Sequence, residues 1–230
     1  MNATTSPTNV VLTEGCISNT TYDLSWVYGT GANDGVLIFA RPTTPVNPTG
    51  NASVYTGANA NYTAATDYGT GGRLVYKGTG TNVTITGLTQ GTSYVFRAVA
   101  YKNATGTVWA TGTTKSQTIG LTDVSNLLGA AANNSATISW ANPPLAACYD
   151  EVLVLANTAN TFPSAPFTGY TANAAYGGTT GTPAVHAVYS GTGTGVTVTA
   201  LTNGTPYYFK IYTRKGADWS LGVQIGRAHV

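Results

Sequence analysis

The sequence predicts an all-β protein made of two tandem antiparallel β-sandwiches, each carrying a long insert. Apolar and polar residues alternate in short runs, as Val83 and Ile85 do with Thr84 and Thr86, which is the period of a strand with one buried face. Clusters of Gly, Asn and Pro interrupt these runs at short intervals, and no window shows the period of an amphipathic helix. The chain also repeats itself, which indicates two copies of one unit.

The repeat is clearest in one continuous stretch. YKGTGTNVTITGLTQGTSYVF at Tyr76–Phe96 recurs as YSGTGTGVTVTALTNGTPYYF at Tyr189–Phe209, and 14 of the 21 positions are identical. Upstream, YDLSWV and DGVLIFAR correspond to ATISWA and DEVLVLAN. Two modules of about 110 residues follow, which we place at residues 1–119 and 120–224, joined near KSQTIGL.

Within each copy the strands can be assigned in order. YDLSWV alternates and ends at Trp26, as ATISWA ends at Trp140, so both read as an early strand with one buried face. DGVLIFAR and DEVLVLAN are continuous apolar strands. In the strand that closes the 21-residue stretch, Tyr94 and Phe96 alternate with Val95 and Arg97. Short strands with frequent turns in a unit of this size favour a sandwich.

These residues resemble the fibronectin type III family, an immunoglobulin-like β-sandwich. The resemblance rests on the Trp after strand B and on the segments GLTQGTSYVF and ALTNGTPYYF. It implies that Tyr94 and Tyr207 are corner tyrosines, whose hydroxyls bond to the backbone of the E–F loop. It also implies a set of core residues beneath the corners and between the sheets: Leu88, Leu201, Trp26 and Trp140.

Each copy is longer than an ordinary module of this family. The excess lies between strands C and E, at Pro42–Arg73 and Thr158–His186. We align NYTAATDYG, from Asn61, with GYTANAAYG, from Gly169. Similar inserts occur in fibronectin-like modules of large bacterial surface proteins, which the chain resembles most. Because long structureless loops are uncommon in compact domains, we expect the inserts to be packed.

The low charge of the chain bears on its partners. Charged residues make up 8% of the sequence and the net charge is +2, with no basic run of the kind that nucleic-acid binding requires. No stretch approaches the length of a membrane helix, so we expect no membrane insertion. A neutral surface rich in Thr, Asn and Gly is typical of secreted bacterial β-proteins, and we expect an extracellular or cell-surface location.

The two ends of the sequence suggest a fragment of a longer chain. The N-terminal MNATTSPTNVVL has no charged and apolar segments of a signal peptide. The C-terminal IGRAHV, residues 225–230, matches the translated start of a widely used sequencing adapter, so we expect it not to be native. Strand G of the second module should therefore end near Gln224.

Titratable residues show no catalytic pattern. His186 is the only credible histidine, and nothing singles out a nucleophile or a third group beside it. The eight carboxylates are scattered, although a calcium site using Glu14 or Asp123 is an alternative to solvated charges. We predict that the chain is not an enzyme and has no cofactor and no metal.

The aromatic residues of the inserts, and the tryptophans after the F–G turns, allow two interpretations. They could stack on a polysaccharide or on a partner protein, because a flat apolar face with a polar edge suits both. They could instead cover the outer faces of the sheets and anchor the inserts. The residues in question are Tyr55, Tyr62, Tyr68, Tyr170, Tyr176, Trp109 and Trp219.

Cys16 and Cys148 are the only cysteines, and they are not counterparts in the repeat. On the predicted fold Cys16 lies near the end of strand A or in the A–B loop, and Cys148 lies in the B–C loop. Both places are poles facing the module junction, so an interdomain disulfide is one hypothesis. Two unpaired thiols are the alternative.

Three functions are compatible with these patterns. The leading hypothesis is a non-enzymatic spacer or adhesion tandem whose partners are the neighbouring domains of a larger bacterial secreted or surface protein. The second is a binding module that uses insert aromatics to hold polysaccharide or a surface protein. The third is an accessory module pair of a secreted hydrolase.

Overall fold

A computed structural model describes residues 10–103, 107–164, 166, 169–177, 180–181 and 185–229. The chain divides into two compact units, Met1–Gly120 and Leu121–Val230. Across the described residues, regular structure consists of β-strands and three short 3-10 turns. None of these elements is a helix of the length and hydropathy that crossing a bilayer requires.

The described part of the first module contains eight strands in two antiparallel sheets. Strands β1, β2 and β5 form one sheet in the order β1-β2-β5, and β4, β3, β6 and β7 form the other in that order, with β8 also paired to β6. Their bounds are β1 Val11–Ile17, β2 Tyr22–Val27, β3 Gly35–Arg41, β4 Arg73–Gly78, β5 Asn82–Ile85, β6 Ser93–Asn103, β7 Thr107–Trp109 and β8 Thr113–Thr118. Two 3-10 turns lie within its insert: Ala52–Val54 and Gly69–Gly71.

The second module repeats this arrangement. One sheet has the order β14-β10-β9, and the other has the order β12-β13-β11-β15-β16, with β17 paired to β15. The bounds are β9 Ser125–Ala132, β10 Ser135–Ala141, β11 Glu151–Asn157, β12 Thr180–Gly181, β13 Val185–Gly191, β14 Gly195–Val198, β15 Pro206–Lys215, β16 Asp218–Trp219 and β17 Val223–His229. Its one 3-10 turn among the described residues, Ala146–Cys148, lies between β10 and β11.

The protein is therefore all-β, with two tandem antiparallel sandwiches of the fibronectin type III kind. Strands A, B and E correspond to β1, β2 and β5, and strands C′, C, F and G to β4, β3, β6 and β8. All ladders between these strands are antiparallel. In the second module, β9, β10 and β14 oppose β13, β11, β15 and β17 in the same roles.

The alternation of β2 shows why the sheets close on each other. Tyr22, Leu24 and Trp26 are buried, whereas Asp23 and Ser25 point to the other face. The buried side chains join those of β3 and β6 in a core between the two sheets, and the second module has an equivalent core. Successive strand residues point to opposite faces, so the period of two in the sequence becomes one buried face and one outer face.

Each module also has a second apolar cluster, on the outer face of its larger sheet. In the first module Leu37, Phe39 and Leu74 are buried there against Ala52 of the insert. In the second module the corresponding cluster is built on β11, β13 and β15. The inserts therefore form a third layer over these faces, in agreement with the expectation that they are packed.

One expectation about an element boundary is wrong. Strand β17 does not stop at Gln224: it pairs with β15 as far as His229, which lies opposite Pro206. A ladder is held by backbone hydrogen bonds, so it needs no particular side chains in the partner strand.

Candidate functional site

The two tryptophans near the end of strand B occupy equivalent places. Trp26 is 2% exposed and Trp140 is 5% exposed. Each meets the edge of a tyrosine on the C′ strand: Trp26 and Tyr76 have ring centroids 5.0 Å apart, and Trp140 and Tyr189 5.3 Å apart. Both tryptophans are thus part of the inter-sheet core.

The corner tyrosines contact the E–F loop. The Tyr94 hydroxyl accepts a hydrogen bond from the Thr89 N–H at 3.3 Å. In the second module the Tyr207 hydroxyl accepts from the Thr202 N–H at 3.0 Å. Beside them Leu88 and Leu201 are buried, at 4% and 1% exposure. The corners tie the loop to strand F in both modules.

In each insert, one tyrosine packs against the corner tyrosine of its module. Tyr62 lies edge-on to Tyr94 with ring centroids 5.0 Å apart, and Tyr176 lies edge-on to Tyr207 at 4.9 Å. The backbone N–H of Tyr62 donates to the carbonyl of Thr86, and that of Tyr176 donates to the equivalent threonine after the E strand. Tyr62 and Tyr176 are therefore structural counterparts.

This pairing corrects the sequence alignment of the inserts. Aligning NYTAATDYG with GYTANAAYG places Tyr62 opposite Tyr170, but the structural match is between ANANY, ending at Tyr62, and ANAAY, ending at Tyr176. The N–H groups of Asn59 and Asn173 donate to the C′ strand, at Leu74 and Ala187, in the same way. The sequence alignment of the inserts is out of register because it matches the YTA and YG segments, which occur in both inserts.

In the first insert, the remaining aromatics form a cluster over Phe39. The rings of Tyr55 and Tyr68 both lie edge-on to Phe39, and Trp109 lies edge-on to Tyr55. The hydroxyl of Tyr55 bonds to the backbone of Thr49, with the N–H as donor at 2.9 Å. The hydroxyl of Tyr55 is thus hydrogen-bonded within the protein.

The other two polar edges of this cluster are also bonded to the insert. The Tyr68 hydroxyl accepts from the N–H of Thr56 at 2.7 Å, and Trp109 donates its indole N–H to the Gly50 carbonyl at 3.0 Å. The rings of Tyr55, Tyr68 and Trp109 are all half-buried. The cluster fixes the path of the insert over the sheet.

The second insert contacts the outer face through a different set of aromatic residues, among them Phe162. Tyr170 packs against the outer cluster, and Trp219 is 6% exposed, with the guanidinium of Arg214 5.6 Å from its ring centroid. Tyr176 also contacts His186, with ring centroids 4.3 Å apart. Of the seven aromatics proposed as ligand-stacking residues, none is among the exposed side chains. Ligand stacking by these residues remains a hypothesis.

An ion pair that repeats in both modules was missed at the sequence level. Asp34 accepts from Lys102 at 2.6 Å and from the Asn103 N–H at 2.8 Å. Asp150 accepts from Lys215 at 2.9 Å and from the Gly216 N–H at 2.7 Å. The aspartate before strand C thus holds the start of the F–G turn, and the similar spacing of Asp and Lys in the two copies could have indicated it.

These hydrogen bonds shift the titration of both aspartates. The bond from Lys102 is the main cause that lowers the pKa of Asp34, with the backbone N–H adding to it. For Asp150 the backbone N–H of Gly216 comes first and Lys215 second, and the pKa is again lowered. Hydrogen bonds to the ionised form favour that form.

The outer sheet faces of the two modules differ in the size of a cavity next to strand C. In the first module a cavity of about 410 Å³ lies beside Lys77 and Tyr101. In the second module the corresponding place, beside Ser190 and Arg214, has a cavity of about 150 Å³. The correspondence follows from the ladders, in which Lys77 lies opposite Leu37 and Ser190 opposite its counterpart on β11.

The cysteines lie at the elements expected for them. Cys16 is in β1, strand A, and Cys148 ends the 3-10 turn between β10 and β11, the B–C connection. The interdomain bridge between them stays a prediction. Intact mass and alkylation of unreduced protein check it: we expect no alkylation, and two alkylated thiols would contradict it.

The sequence also predicts that the chain binds no metal, with a calcium site as the alternative. In the described part of the chain, His, Cys, Asp and Glu form no group of three or more that could hold a metal ion. Glu14 pairs with Lys115 at 2.6 Å, and Asp123 accepts from the Gly222 N–H at 2.9 Å. Both carboxylates of the alternative calcium site thus have partners within the protein.

Comparisons with known proteins identify structures only at a distance. No protein-family model matches the chain, and no curated protein matches it. A two-domain fibronectin type III segment from chicken tenascin covers 98% of this chain and 99% of its own, with 20% identity and a TM-score of 0.37. The FN1–FN3 domains of chicken CNTN1 cover 98% of this chain and 69% of their own, with 12% identity and a TM-score of 0.34. The fold assignment therefore rests on the order and pairing of the strands.

Proposed function

We propose that the chain is a pair of non-catalytic structural modules from a larger bacterial secreted or cell-surface protein, which space or present the neighbouring domains. The observation that supports this is the use of the insert aromatics as anchors. Tyr55, Tyr68 and Trp109 use both their ring edges and their polar atoms to hold the insert against the sheet.

A module in which loops are fastened to the sheets suits a spacer. Long loops stay ordered only when their backbone groups are bonded and their side chains are packed. The first insert meets this condition through Lys77, which donates to the carbonyls of Ala52 and Tyr55 at 2.8 and 2.9 Å. The near-neutral composition, with 8% charged residues, also limits non-specific attraction to other surfaces.

The alternative in which these aromatics bind a ligand is less well supported. Stacking on a sugar or a protein requires an accessible ring face, and these rings lie against one another and against the sheet. The accessory role beside a hydrolase remains compatible with the same spacer function, because it concerns the parent protein and not this fold.

Stretching single molecules tests the mechanical role. With the full chain held at its ends under reducing conditions, so that the predicted Cys16–Cys148 bridge does not shorten the extensible chain, we expect two separate unfolding events, each releasing about 110 residues, or roughly 400 Å of extended chain. A Trp140→Ala variant should weaken one event and leave the other unchanged, which assigns the events to modules. Extension of the wild-type chain without force peaks would show that the modules bear no load and would overturn the proposal.

A further inference from the structure

We propose that the cavity beside Lys77, on the outer sheet face of the first module, binds a uronate, the carboxylate-bearing sugar residue of acidic polysaccharides. The proposal goes beyond a spacer role and uses none of the aromatics that anchor the inserts. It rests on a cation without a carboxylate partner and on the contrast with the same place in the second module.

Lys77 is held in place but not neutralised. Its ammonium donates to two backbone carbonyls, those of Ala52 and Tyr55, and an ammonium has three N–H donors. Among the described residues it takes part in no ion pair, and Asp34, the carboxylate before strand C, is already paired with Lys102. The cavity therefore contains a fixed positive charge with a remaining donor.

The second module shows what a carboxylate does at this position. Glu151 forms an ion pair with Arg214 and accepts a hydrogen bond from Ser190 at 2.6 Å. In the ladders Glu151 lies opposite Arg214, just as Gly35 lies opposite Tyr101 in the first module. The second module thus fills the site with its own carboxylate, whereas the first has glycine there.

Position 35 has no room for a side chain. A Cβ atom at this residue would lie 2.8 Å from the Tyr101 hydroxyl and 2.9 Å from the Gly78 carbonyl oxygen. The first module therefore cannot carry a side chain at this position without displacing its neighbours, so it cannot supply from here a carboxylate like that of Glu151. The larger cavity, about 410 Å³ against about 150 Å³, provides the room.

The lining of the cavity favours a sugar acid over a simple anion. Besides Lys77, it includes two side-chain amides and three hydroxyls. The Thr107 hydroxyl accepts from the Ala52 N–H and donates to Asn103 Oδ1, and the remaining groups can donate to and accept from the hydroxyls of a pyranose ring. The volume falls in the range of small-molecule pockets. These polar lining residues are Asn51, Ser53, Tyr101, Asn103 and Thr107.

Titration of the full chain with sodium galacturonate, followed by backbone NMR, tests the proposal. We expect saturable shifts of the amides around Lys77 and Ser53 and none around Ser190 and Arg214. Galactose, which has the same ring without the carboxylate, should produce no saturation in the same range. Acetate should bind more weakly than galacturonate, because it lacks the ring hydroxyls.

Two substitutions localise the binding. Lys77→Ser installs the residue of the second module and should weaken galacturonate binding about 10- to 100-fold, the range for a lost charged hydrogen bond. Lys115→Ser is the matched control: it removes the same charge from the same module at the ion pair with Glu14, and should leave the affinity unchanged. Ser53→Trp keeps Lys77 and its carbonyl contacts but fills the cavity, so it should also abolish binding.

Three results would each overturn the proposal. The first is a wild-type chain that shows no saturable shifts with galacturonate. The second is acetate binding as tightly as galacturonate, which would indicate an adventitious anion only. The third is an equal loss in Lys77→Ser and Lys115→Ser, which would indicate general charge attraction.

If Lys77→Ser disturbs the insert, its loss of binding does not count as support. The proposal then depends on Ser53→Trp, which must lose binding while its insert stays intact. Retained binding in Ser53→Trp would place the sugar outside this cavity. None of these results affects the stretching experiment, which does not involve this cavity.

Discussion

The two modules bury the same tryptophan but treat its indole N–H differently. In the second module Trp140 donates to the Asn142 side chain at 2.8 Å, and Asn142 donates in turn to the Thr192 carbonyl. In the first module Tyr28 occupies the position of Asn142, and its hydroxyl donates to the carbonyl of Gly80. The Tyr28 hydroxyl lies near the indole N–H of Trp26, but no described residue accepts a well-formed hydrogen bond from that N–H.

The first module carries a second buried polar atom of this kind. The hydroxyl of Tyr22 is buried without a hydrogen-bond partner among the described residues, and burial is the main cause that raises its pKa. The repeat has Ala136 at this position. The first core thus gains aromatic area, through a contact of Tyr22 with Phe96 at 4.9 Å, and loses hydrogen bonding. The same fold therefore accommodates two different cores, one with more aromatic contact and one with its buried indole N–H hydrogen-bonded.

The largest expected effect comes from removing either tryptophan. Trp26→Ala and Trp140→Ala should each lower the free energy of unfolding of their own module by roughly 3–5 kcal/mol, the usual range for a buried large aromatic. Amide hydrogen exchange of the full chain assigns the loss to one module. Val27→Ala, at a residue that is 67% exposed beside Trp26, is the control and should change stability by less than about 0.5 kcal/mol.

An unchanged exchange pattern in either tryptophan variant would contradict burial in the inter-sheet core. Loss of protection in both modules from one substitution would contradict the division into two units.

Asn142→Ala sharpens the comparison, because it gives Trp140 the unpaired N–H that Trp26 already has. We expect a loss of about 1–3 kcal/mol, the cost of leaving a buried donor without a partner. Urea unfolding of the full chain measures it. Asn133→Ala, at an exposed asparagine whose amide oxygen accepts from the Asn203 side chain at 2.7 Å, serves as a comparison for the loss of an amide hydrogen bond at the surface. Equal stability of Asn142→Ala and wild type would mean that the Trp140–Asn142 hydrogen bond contributes nothing.

Tyr22→Phe should have the opposite sign. Removing a buried hydroxyl that has no partner should leave the first module equally stable or stabilise it by up to about 1 kcal/mol. Tyr207→Phe is the matched control in the second module: its hydroxyl accepts from Thr202, so the same change should cost about 1 kcal/mol. Thermal unfolding compares the two variants, and destabilisation by Tyr22→Phe would show that its hydroxyl is bonded in solution.

The smallest expected effect is the change of the free energy of unfolding with pH, and it should be similar in the two modules. Asp34 and Asp150 have folded-state pKa values below the ordinary value of an aspartate, about 3.9. Their contribution to stability is therefore present above that value and is lost as the pH falls through the folded-state pKa. Both side chains lie at the surface, so the effect is small.

Unfolding measured from about pH 7 to about pH 2 checks this pH dependence. Asp34→Asn and Asp150→Asn should each flatten the acid limb of the stability curve by a similar amount. A steeper acid limb in either turn variant would mean that folding raises the pKa of that aspartate instead of lowering it.

The strands and the core were accessible from the sequence because they follow from local patterns. Alternation decides which residues of β2 are buried, and the Trp and Tyr of the repeat mark the same points in both copies. The insert register was not accessible in this way. It depends on hydrogen bonds from Asn59 and Asn173 to the C′ strand, between segments that are distant in sequence.

The cavity of the first module could not be predicted for a similar reason. Lys77 reads as an ordinary strand residue of the C′ strand, and its position follows only from the path of the insert, whose carbonyls it contacts. The glycine at position 35 carries no signal by itself. Its meaning appears when the ladder sets it at the place that Glu151 occupies in the repeat.

The ladders between strands B and E have a consequence for how the chain reaches its native state. Val83 lies opposite Leu24 and Val196 opposite Ile138, and the two E strands belong to the strongly repeated stretch. During synthesis the first module is complete before the second emerges, and domains generally fold as units in that order. Refolding from denaturant removes this order, so each E strand then competes for two B strands. The pairs Tyr22–Ile85 and Ala136–Val198 oppose such an exchange, because a swapped ladder would crowd one core and leave a void in the other.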